Sequence, residues 1–273
     1  MVVQSDIVPE EETADSSVDF NNNEITDAED ALPDVETDER ENINFIETED
    51  IPVYTIESVV YKADSESINI KYPRITGLLD NEDEVRLNEL IRSEAVLILE
   101  RYCWDYIDGL GLSIDFEIKL INQEFLSIAY TGWGVASIEG KPGKPVSWFY
   151  TTNIELRHVE RVRLSNIVFI DERLLDKFRE CQFTLVYPAN MQGFDYELGL
   201  DNLLNRMSIG EAINRLENAD SMADGHDTYC YLTDDKLGIS VHTAPPFGYH
   251  AEYEIELDKI GDIFQLAGFW NNQ

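Results

Sequence analysis

Apolar and polar positions along this chain follow two periods, near two and near 3.6, and each change of period marks a predicted element. The β-branched and aromatic runs Val53 to Tyr61 and Ser67 to Tyr72, split by a polar turn, predict a hairpin. Asn81-Glu82-Asp83-Glu84 then has a capping-box spacing, and Leu87, Leu90, Ile91, Ala95, Ile98 and Tyr102 fall on one face of the helix it opens. Ile114, Phe116, Ile118 and Leu120 alternate with polar residues, as do Leu126, Ile128 and Tyr130, which predicts two strands with one buried and one wet face. Gly132-Trp133-Gly134 and the Gly140 to Pro145 stretch interrupt the alternation and predict a long exposed loop.

The second half repeats this mixture. A β run from Val146 to Leu156 leads through Val162 to Leu164 into a helical stretch from about Asp171 to Phe183. Ser208 and Glu211 form another capping box, opening a helix with Ile213 and Leu216 inward. Strands are predicted at Thr228 to Thr233, Leu237 to Thr243 and Tyr253 to Leu257. The expected class is α+β, in two small subdomains, each an antiparallel sheet with helices packed on one face. Residues 51–135 form the first subdomain, 136–264 the second, and 265–273 a tail.

Charge changes the picture at the N-terminus. Residues 1–50 hold 18 acidic residues against the single basic Arg40, and their scattered apolar residues never recur at either period. Such a segment is expected to be a disordered, self-repelling acidic tether. The whole chain of 273 residues has a net charge of −35, which makes nucleic acid and anionic membrane surfaces poor partners and steers basic proteins inward. Solubility alone also accounts for such a charge. No run approaches the ~20 apolar residues of a membrane helix. Cys103, Cys181 and Cys230 are too few for a disulfide framework, and buried small hydrophobes are the first reading for Cys103 and Cys230.

The sequence carries no convincing catalytic spacing: there is no G-x-S-x-G elbow, no phosphate-binding glycine loop, no H-E-x-x-H and no paired C-x-x-C. Asp220 to Asp227 places acid, acid and glycine at three calcium-loop positions, but Met222 stands at the third and Tyr231 at the twelfth, so a plain turn is expected. No cofactor and no metal are expected. The constellation that stands out is aromatic: Trp133, Trp148, Phe149, Tyr150, Phe247 and Tyr249 lie in or beside predicted loops, with His242 and His250 flanking the last two. Exposed rings stack on sugars or anchor protein interfaces, while buried ones cap a sheet's core. The candidate binding residues are Trp133, Trp148, Tyr150, His242, Phe247, Tyr249 and His250.

The order of segments resembles a bacterial cell-envelope domain family. It runs from Tyr72-Pro73-Arg74-Ile75-Thr76-Gly77 and the helix with Leu87 to Ile91, through Ser127 to Gly132, Thr152 to Leu156 and Val162 to Val168, to the closing hairpin Tyr231 to Tyr249 and Tyr253 to Leu257. The family includes the ectodomain of RsiV-type anti-sigma factors, which sense lysozyme, and the non-catalytic N-terminal region of PdaC-type peptidoglycan deacetylases. The likeness spans about residues 53–264 and departs from the family pattern at Trp133 to Ser137 and at His158 to Arg161. It implies an extracytoplasmic location, a two-part α+β fold and a non-enzymatic binding or sensing role, with a basic lysozyme-type protein or a cell-wall glycan as partner. The alternative is an envelope glycan hydrolase or an accessory domain of one.

A chain beginning at Ile51 is therefore expected to melt within a few degrees of the full chain. Thermal unfolding checks this, and a fall beyond about 4 °C, roughly 1 kcal/mol or more in a domain of this size, would contradict the tether.

Overall fold

The structure is a computed structural model, and it describes residues 42–43, 54–62, 67–101, 109–138, 140–188, 191–222, 227–244 and 248–266. The strands are β1 (Asn42–Ile43), β2 (Thr55–Lys62), β3 (Ile68–Thr76), β4 (Gly109–Ile121), β5 (Phe125–Ile138), β6 (Lys141–Pro142), β7 (Val146–Glu155), β8 (Glu160–Val162), β9 (Thr184–Tyr187), β10 (Tyr229–Leu232), β11 (Lys236–His242) and β12 (His250–Glu256). The helices are α1 (Asn81–Val96), α2 (Leu164–Ile167), α3 (Glu172–Arg179), α4 (Tyr196–Leu200) and α5 (Ile209–Glu217), with a π-helical turn at Asp201–Asn205. The class is α+β, as expected.

One sheet has the order β1-β2-β3-β4-β5-β7-β8, with β6 paired to β5, and the other has the order β10-β11-β12-β9. All pairs are antiparallel except β3 with β4, which run parallel because α1 carries the chain across between them. Position 135/136 lies inside β5, and β7 and β8 beyond it complete the same sheet. Within the expected tether, Asn42–Ile43 pairs with Ile56 and Glu57 of β2; residues 1–41 lie outside the described residues.

Local chemistry starts the helices. Asp80, one residue before the expected capping box, caps α1 by accepting from the amides of Glu82 and Asp83, while Glu84 reaches back to the Gly77 amide. The box at Ser208 and Glu211 forms in both directions and opens α5. Leu87, Ile91, Ala95 and Ile98 are fully buried against the large sheet; Tyr102 and Cys103 fall outside the described residues.

Two expectations are corrected. Gly132-Trp133-Gly134 is no loop: β5 runs through it, paired to Ser113 on one side and Ser147 on the other. The glycine at 132 is needed because a β-carbon there would collide with the Ser113 carbonyl oxygen and with Ile114. A bulge between Ile118 and Leu120 interrupts the strict alternation of β4 and turns Leu120 to the opposite face, where it packs with Phe125. Sequence alternation cannot register one extra residue.

The part of the large sheet from Phe125 to Tyr130 and from Phe149 to Leu156 is therefore buried on both sides. Tyr130 and Tyr150 stack at 4.8 Å on the α1 side, and the Tyr150 hydroxyl donates to the Ala95 carbonyl at 2.6 Å. On the other side β10 lies across β7: Thr151 and Asn153 both donate to the Cys230 carbonyl, at 2.6 and 2.9 Å, and Ser127 accepts from the Leu232 amide at 3.0 Å. A second core, including Leu174, Phe178, Leu216, Ile239 and Tyr253, fills the space beneath α3, α5 and the small sheet.

At the junction sits Asp220, 1% exposed and at a positive φ of 64°. Its carboxylate accepts from the Cys230 amide at 2.7 Å and the Leu164 amide at 2.8 Å, joining β10 to the start of α2. Arg161 of β8 donates to the Asp220 carbonyl and pairs with Glu94 of α1 at 3.0 Å. Burial pushes the Asp220 carboxyl up from its ordinary value, opposed by the amides that donate to it. Asp220, the first residue of the segment expected to be a plain turn, is thus where both sheets and α2 meet.

Replacing Asp220 by Ala orphans two buried N–H groups at about 1–3 kcal/mol each, so a total loss of about 2–6 kcal/mol is expected. Tm should fall by roughly 5–20 °C, and a fall below about 3 °C would contradict the role given to this carboxylate.

Candidate functional site

A cleft of about 210 Å³ opens where the start of β7 meets the end of the β11–β12 hairpin, lined by Val146, Ser147, Trp148, Phe149, Asp227, His242, Tyr249 and His250. Three local features assemble it. Only Asn153–Glu155 of β7 are covered by β8, so Val146 to Thr152 form a sheet edge from which Trp148 and Phe149 project to opposite faces. The register of β11 with β12 sets His242 directly opposite His250. The Thr243 amide then donates to the Tyr249 carbonyl at 2.9 Å, closing the hairpin end through positive φ at Gly248 and Tyr249.

His250 is held inside a stack of rings. Phe149 lies parallel to it on one side at 4.8 Å and Tyr187 of β9 on the other at 4.5 Å. Its Nε2 is 3.3 Å from Glu252 Oε1, and its Nδ1 is 3.3 Å from the Gly248 carbonyl. This ring is a fixed wall.

The charged groups are arranged around Asp227, which immediately precedes Thr228 and β10. Arg101 reaches it with Nη2 at 2.9 Å from Oδ1, donates to the Met222 carbonyl at 3.0 Å, and lays its guanidinium 5.7 Å from the centre of the Trp148 ring. On the far side, Asp227 Oδ2 stands 3.9 Å from His242 Nδ1, too far for a direct hydrogen bond. Arg215 of α5 is buried nearby with Nε donating to Thr228 Oγ1 at 3.1 Å. Burial holds the His242 imidazole below its ordinary value; Asp227 opposes this, and Arg215 and Arg101 add to it. At neutral pH His242 is thus a neutral hydrogen-bonding ring.

Four of the seven sequence candidates, Trp148, His242, Tyr249 and His250, come together here. Tyr150 is 2% exposed and belongs to the core against α1, where its hydroxyl donates to the Ala95 carbonyl. Trp133 is 49% exposed on β5 and does not line the cleft. Phe247 lies outside the described residues, as does His226. Sequence reasoning passed over Asp227, Arg101 and Tyr187, which reach the site only through tertiary packing. Asp227 carried a faint signal, as the last acid of the segment resembling a calcium loop. Among the described residues no three His, Cys, Asp or Glu side chains converge to hold a metal ion, and no helix is long and apolar enough to cross a membrane. Cys181 is exposed and Cys230 buried, both as free thiols, and burial pushes the Cys230 thiol well up.

Comparison with known proteins finds similarity to solved structures. A DUF3298 family protein from Pseudomonas aeruginosa PAO1 is similar over 79% of this chain and 95% of its own, with 12% identity and a TM-score of 0.43. A member of the same family from Bacteroides fragilis NCTC 9343 is similar over 78% and 93%, with 13% identity and a TM-score of 0.41. No family model matches the chain, and no curated protein matches it.

The electrostatics of the cleft give a signed prediction. Arg101→Ala removes a positive neighbour and should raise the His242 pKa, while Asp227→Asn removes the negative one and should lower it further. Imidazole proton titration by NMR reads both, and shifts in the same direction would contradict the arrangement.

Proposed function

We propose that this chain is a non-enzymatic binding module of the bacterial cell envelope, outside the cytoplasm, and that the cleft beside β7 takes a sugar unit of a cell-wall glycan. The observation that carries this reading is an aromatic wall in which Asp227 is paired with an arginine. Asp227 is taken by Arg101, and Glu252 lies beside His250, while Trp148, Phe149 and Tyr249 line the cleft. A ligand there meets aromatic surface and neutral hydrogen-bonding groups, which suits an uncharged ligand rich in hydroxyls. The segment likeness to RsiV-type and PdaC-type envelope proteins supports the location.

A catalytic reading has less support. Retaining or inverting glycosidases flank the bond with two carboxyl groups. Among the described residues lining the cleft, Asp227 is the one carboxylate, and it is bound to an arginine. His242 lies 3.9 Å from it, outside the reach expected of an oriented catalytic base. A second binding reading follows from charge: a chain at −35 attracts a basic protein such as lysozyme.

Calorimetric titration with soluble peptidoglycan glycan fragments tests the proposal. Saturable binding is expected, and Trp148→Ala should weaken it by about 1–2 kcal/mol, roughly 5–30-fold in Kd. Lysozyme binding that survives physiological salt, with no glycan binding, would move the ligand to a basic protein. Failure of both at millimolar fragment would reject the cleft as a ligand site.

A further inference from the structure

We propose that His242 contacts the ligand of the cleft in its neutral form, so that ligand binding is coupled to release of a proton from this ring. The inference rests on the cleft being the ligand site, as proposed above. His242 lines that cleft, half-buried, at the last position of β11, so an occupant must cover part of its ring. Nδ1 is turned toward Asp227 Oδ2 at 3.9 Å, and Nε2 is assigned to the ligand. In a neutral imidazole with its proton on Nδ1, Nε2 accepts a hydrogen bond from a ligand hydroxyl. In the protonated ring both nitrogens donate, and the positive charge is drawn toward Asp227.

The groups facing the ring decide the sign. Asp227, before β10, favours the charged form. Arg101, beyond the C-terminal end of α1, and Arg215, on α5, disfavour it, and so does burial, which is the largest effect. His250 faces His242 across the β11–β12 ladder, and Tyr249 stands at the rim. A ligand that seals the cleft removes water from the ring and leaves Asp227 and both arginines in place, so the added desolvation, the largest of these effects, shifts the balance further toward the neutral form. The bound-state pKa therefore lies below the free-state pKa, which itself lies below the ordinary histidine value. Affinity is full above the free-state pKa and falls as pH drops through it.

The test uses the full chain and soluble peptidoglycan glycan fragments, titrated calorimetrically from about pH 8 to about pH 5. Kd should be constant above about pH 7 and then rise, by at most roughly tenfold per pH unit for one coupled proton. His242→Gln keeps a polar side chain and should flatten the profile. NMR of the parent protein should show the His242 pKa falling when the fragment is added, a readout that does not depend on how the variant folds. A flat parent profile with intact binding, a variant that keeps the slope, or a His242 pKa unmoved by ligand would each overturn the coupling while leaving the cleft as a binding site. No binding at about pH 8 would overturn the cleft reading and the coupling with it.

Discussion

A carboxylate removed from solvent must find hydrogen-bond donors or destabilise the fold, and the Asp220 carboxylate finds two of its donors on different elements of the fold. One is the Leu164 amide, at the start of α2 directly after β8; the other is the Cys230 amide in the middle of β10. Both are N–H groups that would otherwise be buried without a partner, so donors and acceptor depend on each other. The large sheet meets β10 through polar contacts at this point: Thr151, Asn153 and Ser127 bond to the β10 backbone where an apolar sandwich would have interdigitated methyl groups. Hydrogen bonds have direction, so they fix the crossing of the two sheets more tightly than packing alone would.

That crossing places the cleft. Once Cys230 is fixed over Thr151 and Asn153, Asp227, three residues earlier in the chain, is carried to the edge of β7 beside Trp148. The partner strand β11 brings His242 to the same edge, and β12 brings His250 opposite it. Arg101 arrives from the other side of the large sheet, beyond α1, and closes the set with an ion pair and a ring contact. Each side chain of the site is therefore positioned by an element whose location traces back to the buried junction. Within the wall Asp227 is paired with Arg101, even though the chain around it is strongly acidic.

Much of the fold was legible because one physical signal governed it. Alternation in β4 and β5, the helical stripe from Leu87 to Ile98 and the box at Ser208 and Glu211 each report burial of a local pattern, and local patterns are written in sequence. Three features were not legible. The bulge at Ile118–Leu120 and the passage of β5 through Gly132 depend on the partner strand, which decides whether an extra residue or a missing β-carbon is tolerated. Strand β9 at Thr184–Tyr187 is short and half-exposed, so it carries little periodicity. Of the site, the aromatic and histidine members on β7, β11 and β12 stood out by residue type and by their neighbouring glycines and prolines. Asp227, Arg101 and Tyr187 did not, since a single acid among 55 or a single arginine carries no mark of which ring it will face.

The buried junction at Asp220 is part of the global fold and not a local clasp. Native-state hydrogen exchange of the Leu164 and Cys230 amides tests it most directly. Both amides are expected to exchange only through global unfolding, with the same opening free energy as the central amides of β5 and the same dependence on denaturant. Exchange of either amide through a local opening several kcal/mol cheaper, insensitive to denaturant, would contradict it.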